Sequence, residues 1–536
     1  MKKILLFFFL LSFCFLYSFS NLYAEEYDFG DGSSAVLYEK ASLAFLKNKY
    51  KNTIVYAEKC ISEYSEKAIE QQRPLSDFAP EDEAASYWAL NDVAACFLLK
   101  GKALQKMNRK SEAKRIFQDV IDLFPYAQSW DEGGKFFWKV TTAAKDQIIS
   151  IKQNIDFGDY KSENLTKSAW KAFKSNKNKK AFIYIDKCIE IYDKTAKEQQ
   201  ASLNSFAKKK TAFNYWALND VTTCKFIKGK ILLKQKKKEK AKKLFEDILN
   251  NYQFAQCWNP KGYFWKVADA AGDELLMIKY NIDFGHYKSN ELTGKAWQAF
   301  EAKNYKVLDI YTNKCIKMYQ KHAKAQQKRL KSLPTGDDVH KNWALNDVAT
   351  CYFIKAKGFQ KQKKNDKAKK IYNKIIKLFP YAQCFDTSGW FWRVSEAAKD
   401  QIIMMETGID FGDSTSAYLT GKAWEALNER KHDIAFIFAK KCISSYSKEA
   451  DKQQSSLSSF PRKKAAKEYW ALNDVGTCYF IMGKAYQEKM MWKKSADSFK
   501  KVLDKYSFAQ AWDKKGFYWK IAVAARSEYK KVSSKK

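Results

Sequence analysis

Cysteine, asparagine and lysine recur along this chain at fixed intervals, and those recurrences are its main candidates for chemistry. The cysteines form pairs 36 residues apart: Cys60 and Cys96, Cys188 and Cys224, Cys315 and Cys351, Cys442 and Cys478. The midpoints fall at Phe78, Phe206, Leu333 and Phe460, in stretches such as Ser459-Phe460-Pro461 that read as turns. Two antiparallel helices joined there would set each cysteine level with its partner. In an oxidising compartment this predicts four disulfides, one per pair. Each would contribute ~3–4 kcal/mol by closing its loop. The plainer alternative is that these cysteines are small, buried core residues. Cys257 and Cys384 are left over, aligned with Ser129 and Ala511.

Other reactive constellations are missing. The four histidines, His286, His322, His340 and His432, neither align with one another nor have a ligating neighbour at helical spacing. That predicts no metal site. Neither a glycine-rich phosphate loop nor a Gly-x-Ser-x-Gly nucleophile turn is present, so no cofactor and no enzymatic activity are expected. Asp-Phe-Gly recurs at Asp28, Asp156, Asp283 and Asp410. Without a glycine-rich loop it reads as a helix-to-helix connector, with glycine in a left-handed conformation and Asp31, Asp159 or Asp413 capping the next helix.

The elements that must position these residues derive from one repeat. Trp-Ala-Leu-Asn-Asp-Val begins at Trp88, Trp216, Trp343 and Trp470, at spacings of 128, 127 and 127 residues. A Gln pair begins at Gln71, Gln199, Gln326 and Gln453, and Ala-Gln at Ala127, Ala255, Ala382 and Ala509. The chain therefore divides into four modules, 25–154, 155–281, 282–408 and 409–536, behind a leader at 1–24. Apolar residues such as Leu292, Ala296, Ala299 and Phe300 step by three and four, so the modules are helical. Copy one predicts helices near 34–47, 51–73, 81–107, 110–124 and 134–153. Only 7 prolines and 20 glycines interrupt 536 residues, in keeping with long helices.

Part of the module resembles the tetratricopeptide repeat. Gly101, Ala113, Phe117 and Pro125 have its spacing, as do Gly229, Ala241 and Phe245, then Ala356, Ala368, Tyr372 and Pro380. Copy four is similar with Gly483, Ser495 and Phe499. The resemblance implies an all-α, tetratricopeptide-like α-solenoid whose concave groove binds extended peptides. On the implied groove face lie Asn91 and Lys102, Asn219 and Lys230, Asn346 and Lys357, Asn473 and Lys484. The amides would bond a peptide backbone and the ammoniums its carboxylates. Alternatively, the Asn-Asp pairs make structural hydrogen bonds and the lysines merely snorkel.

Lys2 and Lys3 precede an apolar run from Ile4 to Phe19 that leads to Ala24. This reads as a signal peptide, giving a secreted or periplasmic chain, membrane-anchored if uncleaved. The 96 Lys+Arg against 60 Asp+Glu leave +36, which favours anionic partners; export argues against nucleic acid. The expected function is an exported scaffold for protein or acidic peptide. An alternative is a binder of envelope polysaccharide or another anionic polymer, in which Trp130, Trp258, Trp512 and Phe385 stack on sugar rings. A purely structural array is the third. The exposure of Asn346 and Trp258 separates them.

Overall fold

A computed structural model describes residues 27–131, 136–259, 262–386, 389–462, 465–513 and 516–535. The expected signal segment, 1–24, lies outside the described residues. The chain forms two compact units that meet in sequence at Asn281 and Ile282, a module boundary. Each unit contains two modules, and no described helix is long and apolar enough to cross a membrane.

Module one has five helices: Ser34–Leu46, Tyr50–Gln72, Trp88–Lys106, Lys110–Leu123 and Val140–Gln153. The first four form two antiparallel pairs. Within each pair the turn is closed by a left-handed residue, Asn48 and Asn108, whose following amides bond back into the preceding helix. The third helix starts at Trp88, later than the apolar pattern suggests, because a 3-10 turn at Ala84–Tyr87 precedes it. The third and fourth helices approach closely at Gly101, where a Cβ would lie 2.4 Å from the Phe117 ring. Phe117, Phe245, Tyr372 and Phe499 are fully buried against this contact in the four modules. All four modules thus have the helical-repeat fold expected, a tetratricopeptide-like α-solenoid.

The aromatic segment before the fifth helix departs from the helical reading. Gln128–Asp131 pairs antiparallel with Phe136–Lys139, and equivalent hairpins join Gln256–Asn259 to Tyr263–Lys266, Gln383–Phe385 to Phe391–Arg393, and Gln510–Asp513 to Phe517–Lys520. Phe, Tyr and Trp in succession favour a strand over a helix. Gly262, Gly389 and Gly516 supply the φ near +92° that the turn requires. The last strand residue clamps the inter-pair loop: Lys139, Lys266 and Lys520 lie over Phe78, Phe206 and Phe460 at 4.0, 3.8 and 4.5 Å. In module three both partners change together, to Arg393 and Leu333.

Within each unit an ion pair spans the two modules. Asp146, on the fifth helix of module one, meets Lys187 of module two at 2.8 Å, with side chains only 5% and 8% exposed. Asp400 and Lys441 repeat the arrangement at 2.5 Å. Burial opposes the charge on Lys187, but hydrogen bonds to the Asp146 and Glu190 carboxylates outweigh it and raise its pKa.

Candidate functional site

The structure places the predicted asparagines inside the module. Asn219 Nδ2 donates to the Ala212 carbonyl at 2.9 Å, and its Oδ1 accepts from the Gln256 backbone at 2.7 Å. Asn91, Asn346 and Asn473 make the same two bonds, and all four side chains are at most 9% exposed. They tie the 3-10 or short helical turn to the hairpin, so their amides are not free to read a peptide. Two of the four lysines are paired within the module. Lys230 reaches Glu274 on the fifth helix at 2.5 Å and Lys484 reaches Glu528 at 3.3 Å. In the other two modules Gln147 and Gln401 stand at that acidic position. There burial holds the Lys102 and Lys357 pKa values below the ordinary range, and Lys357 lies 5.6 Å over Phe300. The asparagine half of the expected Asn–Lys ladder is therefore taken up by internal bonds to the hairpin, and Lys230 and Lys484 are ion-paired to the fifth helix.

The cysteines lie where the pairing predicts, on the second and third helices. Burial and a hydrogen bond with the partner thiol raise the pKa of Cys96, Cys224, Cys351 and Cys478. The partners are Cys60, Cys188, Cys315 and Cys442, and all eight are buried free thiols. A threonine hydroxyl touches both sulfurs in three modules, as Thr166 does with Cys188 and Cys224 at 3.7 and 3.3 Å. Among the described residues no group of His, Cys, Asp and Glu could hold a metal.

An open cleft lies where the first helix, the third helix and the hairpin meet. In module two it has a volume of about 560 Å³, and in module three about 620 Å³. Its walls are aromatic. Trp216 stands edge-on to Tyr192 at 5.3 Å, and Trp258 packs against Phe264 at 5.1 Å, with Phe213 beside Trp258 and Phe264. Module three uses Trp343 with Tyr319, Phe385 with Phe391, and His340 in place of Phe213. Trp216 and Trp258 remain 45% and 41% exposed. Modules one and four keep the exposed pairs Trp88 and Trp130, Trp470 and Trp512. Ala85 and Lys467 occupy their variable position.

In modules two and three a buried carboxylate, Asp220 or Asp347, lines the cleft, with Glu163 also at that of module two, and the same Ser–Asp bond recurs in every module. Asp220 accepts from the Ser162 hydroxyl at 2.5 Å, and Asp347 accepts from Ser289. Asp92 and Asp474 accept from Ser34 and Ser416 at 2.6 and 2.5 Å. Burial pushes Asp220, Asp347 and Asp474 up to about 6, against the lowering hydrogen bond from serine. Among the described residues none of the four meets a Lys or Arg. Lys161 and Lys288 line the clefts of modules two and three without pairing with this carboxylate.

In the sequence Trp88, Trp216, Trp343 and Trp470 only mark the period, whereas Trp130, Trp258 and Trp512 are already candidates for stacking. Trp216 and Asp220 are four residues apart on a helix, hence on one face. An apolar ring so placed beside a carboxylate was the available signal. Of the two residues chosen to separate the hypotheses, Asn346 is buried and Trp258 exposed, which leaves the hairpin aromatics as the accessible candidates. Trp138, Trp265, Trp392 and Trp519 differ: Trp265, for example, packs on Phe226 of the third helix at 5.5 Å.

Residues 95–125, 224–253 and 350–380 match the Tetratricopeptide repeat family. These segments run from the third helix through the fourth, the half of the module that carries the packed glycine or alanine. No curated protein matches the chain. Solved structures similar to it include a P58(IPK) TPR domain, at 12% identity and a TM-score of 0.14, covering 82% of this chain and 97% of that one. Another is the APC/C Cut9–Hcn1 hetero-tetramer, at 12% identity and a TM-score of 0.14, covering 94% of each.

Proposed function

We propose that this chain of tetratricopeptide-like repeats is an exported scaffold that holds a protein or peptide partner in the aromatic clefts of its modules. Tetratricopeptide repeats generally serve protein–protein interaction, and the fold is typically non-catalytic. The observation that carries the reading is the recurrence in every module of two exposed aromatic rings, which in modules two and three line a cleft together with a buried carboxylate. Large exposed rings seldom recur without use, and Trp is among the residue types most enriched at binding hot spots. Replacing both Trp216 and Trp343 with Ala is expected to weaken capture of the partner from the envelope fraction tenfold or more. Lys230→Gln, which touches only the internal pair with Glu274, should leave capture unchanged. If the Trp variant captures the partner as well as the parent protein, the cleft is not the binding surface.

Export is part of the same proposal, and so is oxidation of the four cysteine pairs. A chain collected from the envelope should show four intramodule disulfides by non-reducing peptide mapping. Cys257 and Cys384 should remain alkylatable. Finding all ten of these cysteines reduced in the native envelope protein would rule out the oxidised form.

A further inference from the structure

We infer that the clefts of modules two and three are cages for a single cationic side chain, the ammonium of a lysine or the guanidinium of an arginine on the partner peptide. The inference rests on the reading above and names the chemistry recognised there. Three independent features point to a cation. Aromatic faces line the cleft on the helix side and on the hairpin side, and aromatic faces attract cations. The floor carries a carboxylate that lines the cavity and that no described basic residue satisfies. The amide donors that a neutral, hydroxyl-rich ligand would need are already engaged: Asn219 with Ala212, and Gln256 with the Ala207 carbonyl at 2.9 Å. In module three Asn346 and Gln383 are engaged in the same way with Val339 and Pro334. The cleft offers acceptor and π-face, which is the complement of an alkyl-borne cation.

The chain's own charge narrows the partner further. At +36 it repels a run of basic residues, with a range of about 8–10 Å at physiological salt. A segment with one isolated Lys or Arg meets little of that repulsion yet gains the full contact with the cleft. The rim lysine of module two is itself drawn aside, with Lys161 Nζ 3.2 Å from Asp159.

Binding should depend on pH with a definite sign. A bound cation interacts with the ionised carboxylate, and Asp220 and Asp347 titrate near 6. Below that value the site must first lose a proton, so affinity falls as the pH drops from about 7.5 to about 5. The groups facing Asp220 are Ser162, Glu163 and Lys161 from the first helix and its approach, Tyr192 from the second, Cys224 on its own helix and Cys257 from the hairpin. Around Asp347 they are Ser289, Lys288, Tyr319, Cys351, Cys384 and His340. The titration is assigned in module two, where Phe213 stands in place of His340.

The test is calorimetric titration of the whole exported chain with otherwise uncharged peptides carrying one lysine, one trimethyl-lysine, one acetyl-lysine or one glutamate. The lysine and trimethyl-lysine peptides are expected to bind, and the acetyl-lysine and glutamate peptides at least tenfold more weakly. In the double variant Asp220→Asn, Asp347→Asn the preference for charge should be lost. Equal binding of the lysine and acetyl-lysine peptides by the unaltered protein, or no binding of any, overturns the cage, whatever the variant does. Binding of neutral or acidic peptides that is abolished by Trp216→Ala and Trp343→Ala would sink the cage but keep the cleft. Binding indifferent to those Trp substitutions would remove both.

Discussion

Asp146→Ala should lower the stability of the first unit by about 3–5 kcal/mol, the cost of leaving a buried lysine without its counter-charge. Lys187 is 8% exposed, and its other acid, Glu190, lies on its own helix at 2.8 Å. Glu190 can screen the ammonium but cannot replace the bond across the modules. The loss should therefore fall on the docking of module two against module one, and chemical denaturation should separate into two transitions where the parent shows one. Replacing both partners, Asp146→Leu with Lys187→Met, should recover most of the loss, since an apolar pair of similar volume avoids desolvating either charge. A single-substitution cost under about 1 kcal/mol would mean that the pair behaves like an exposed one.

Asn219→Ala is the second large effect. It removes two hydrogen bonds at once and leaves the Ala212 carbonyl and the Gln256 amide without a partner in the interior. At about 1–3 kcal/mol for each orphaned group, the expected loss is about 2–6 kcal/mol. Asn219→Asp is the sharper variant. It keeps the acceptor for Gln256 but turns the donor toward Ala212 into a second acceptor. Thermal unfolding should rank the parent above Asp at low pH, where that carboxyl carries a proton, and Asp at low pH above Asp at neutral pH. No pH dependence in the Asp variant would show that the Ala212 bond contributes little.

The features legible in the sequence were those that repeat with helical spacing. The four modules, five helices in each, the left-handed Asp-Phe-Gly connectors and the level cysteines come from period and local preference. Gly30, Gly158, Gly285 and Gly412 do adopt positive φ. Asp31 does not cap the first helix as expected: Ser33 is the N-cap, and Asp31 accepts from the Ser33 amide ahead of it. The hairpins were hidden because their strands are three or four residues long and run directly into Val140, Val267, Val394 and Ile521, where helices begin. The commitment of the asparagines was hidden for a different reason. Asn219 bonds to main-chain groups of Ala212 and Gln256, and backbone partners leave no signature in side-chain identity. The lysines were half legible, since Glu274 and Glu528 alternate with Gln147 and Gln401 across the copies.

One position varies along the array: Ala85, Phe213, His340 and Lys467 stand in turn three residues before Trp88, Trp216, Trp343 and Trp470, each of which is followed four residues later by an aspartate. Such a division separates grip from discrimination. On the proposed reading, the constant groups would set how strongly a guest is held and the variable one which guest is admitted. A methyl would leave the entrance wide, a phenyl narrow it, an imidazole add a polar edge, and an ammonium compete with a cationic guest. Exchanging Phe213 and His340 between modules two and three is then expected to exchange their preferences without disturbing the frame.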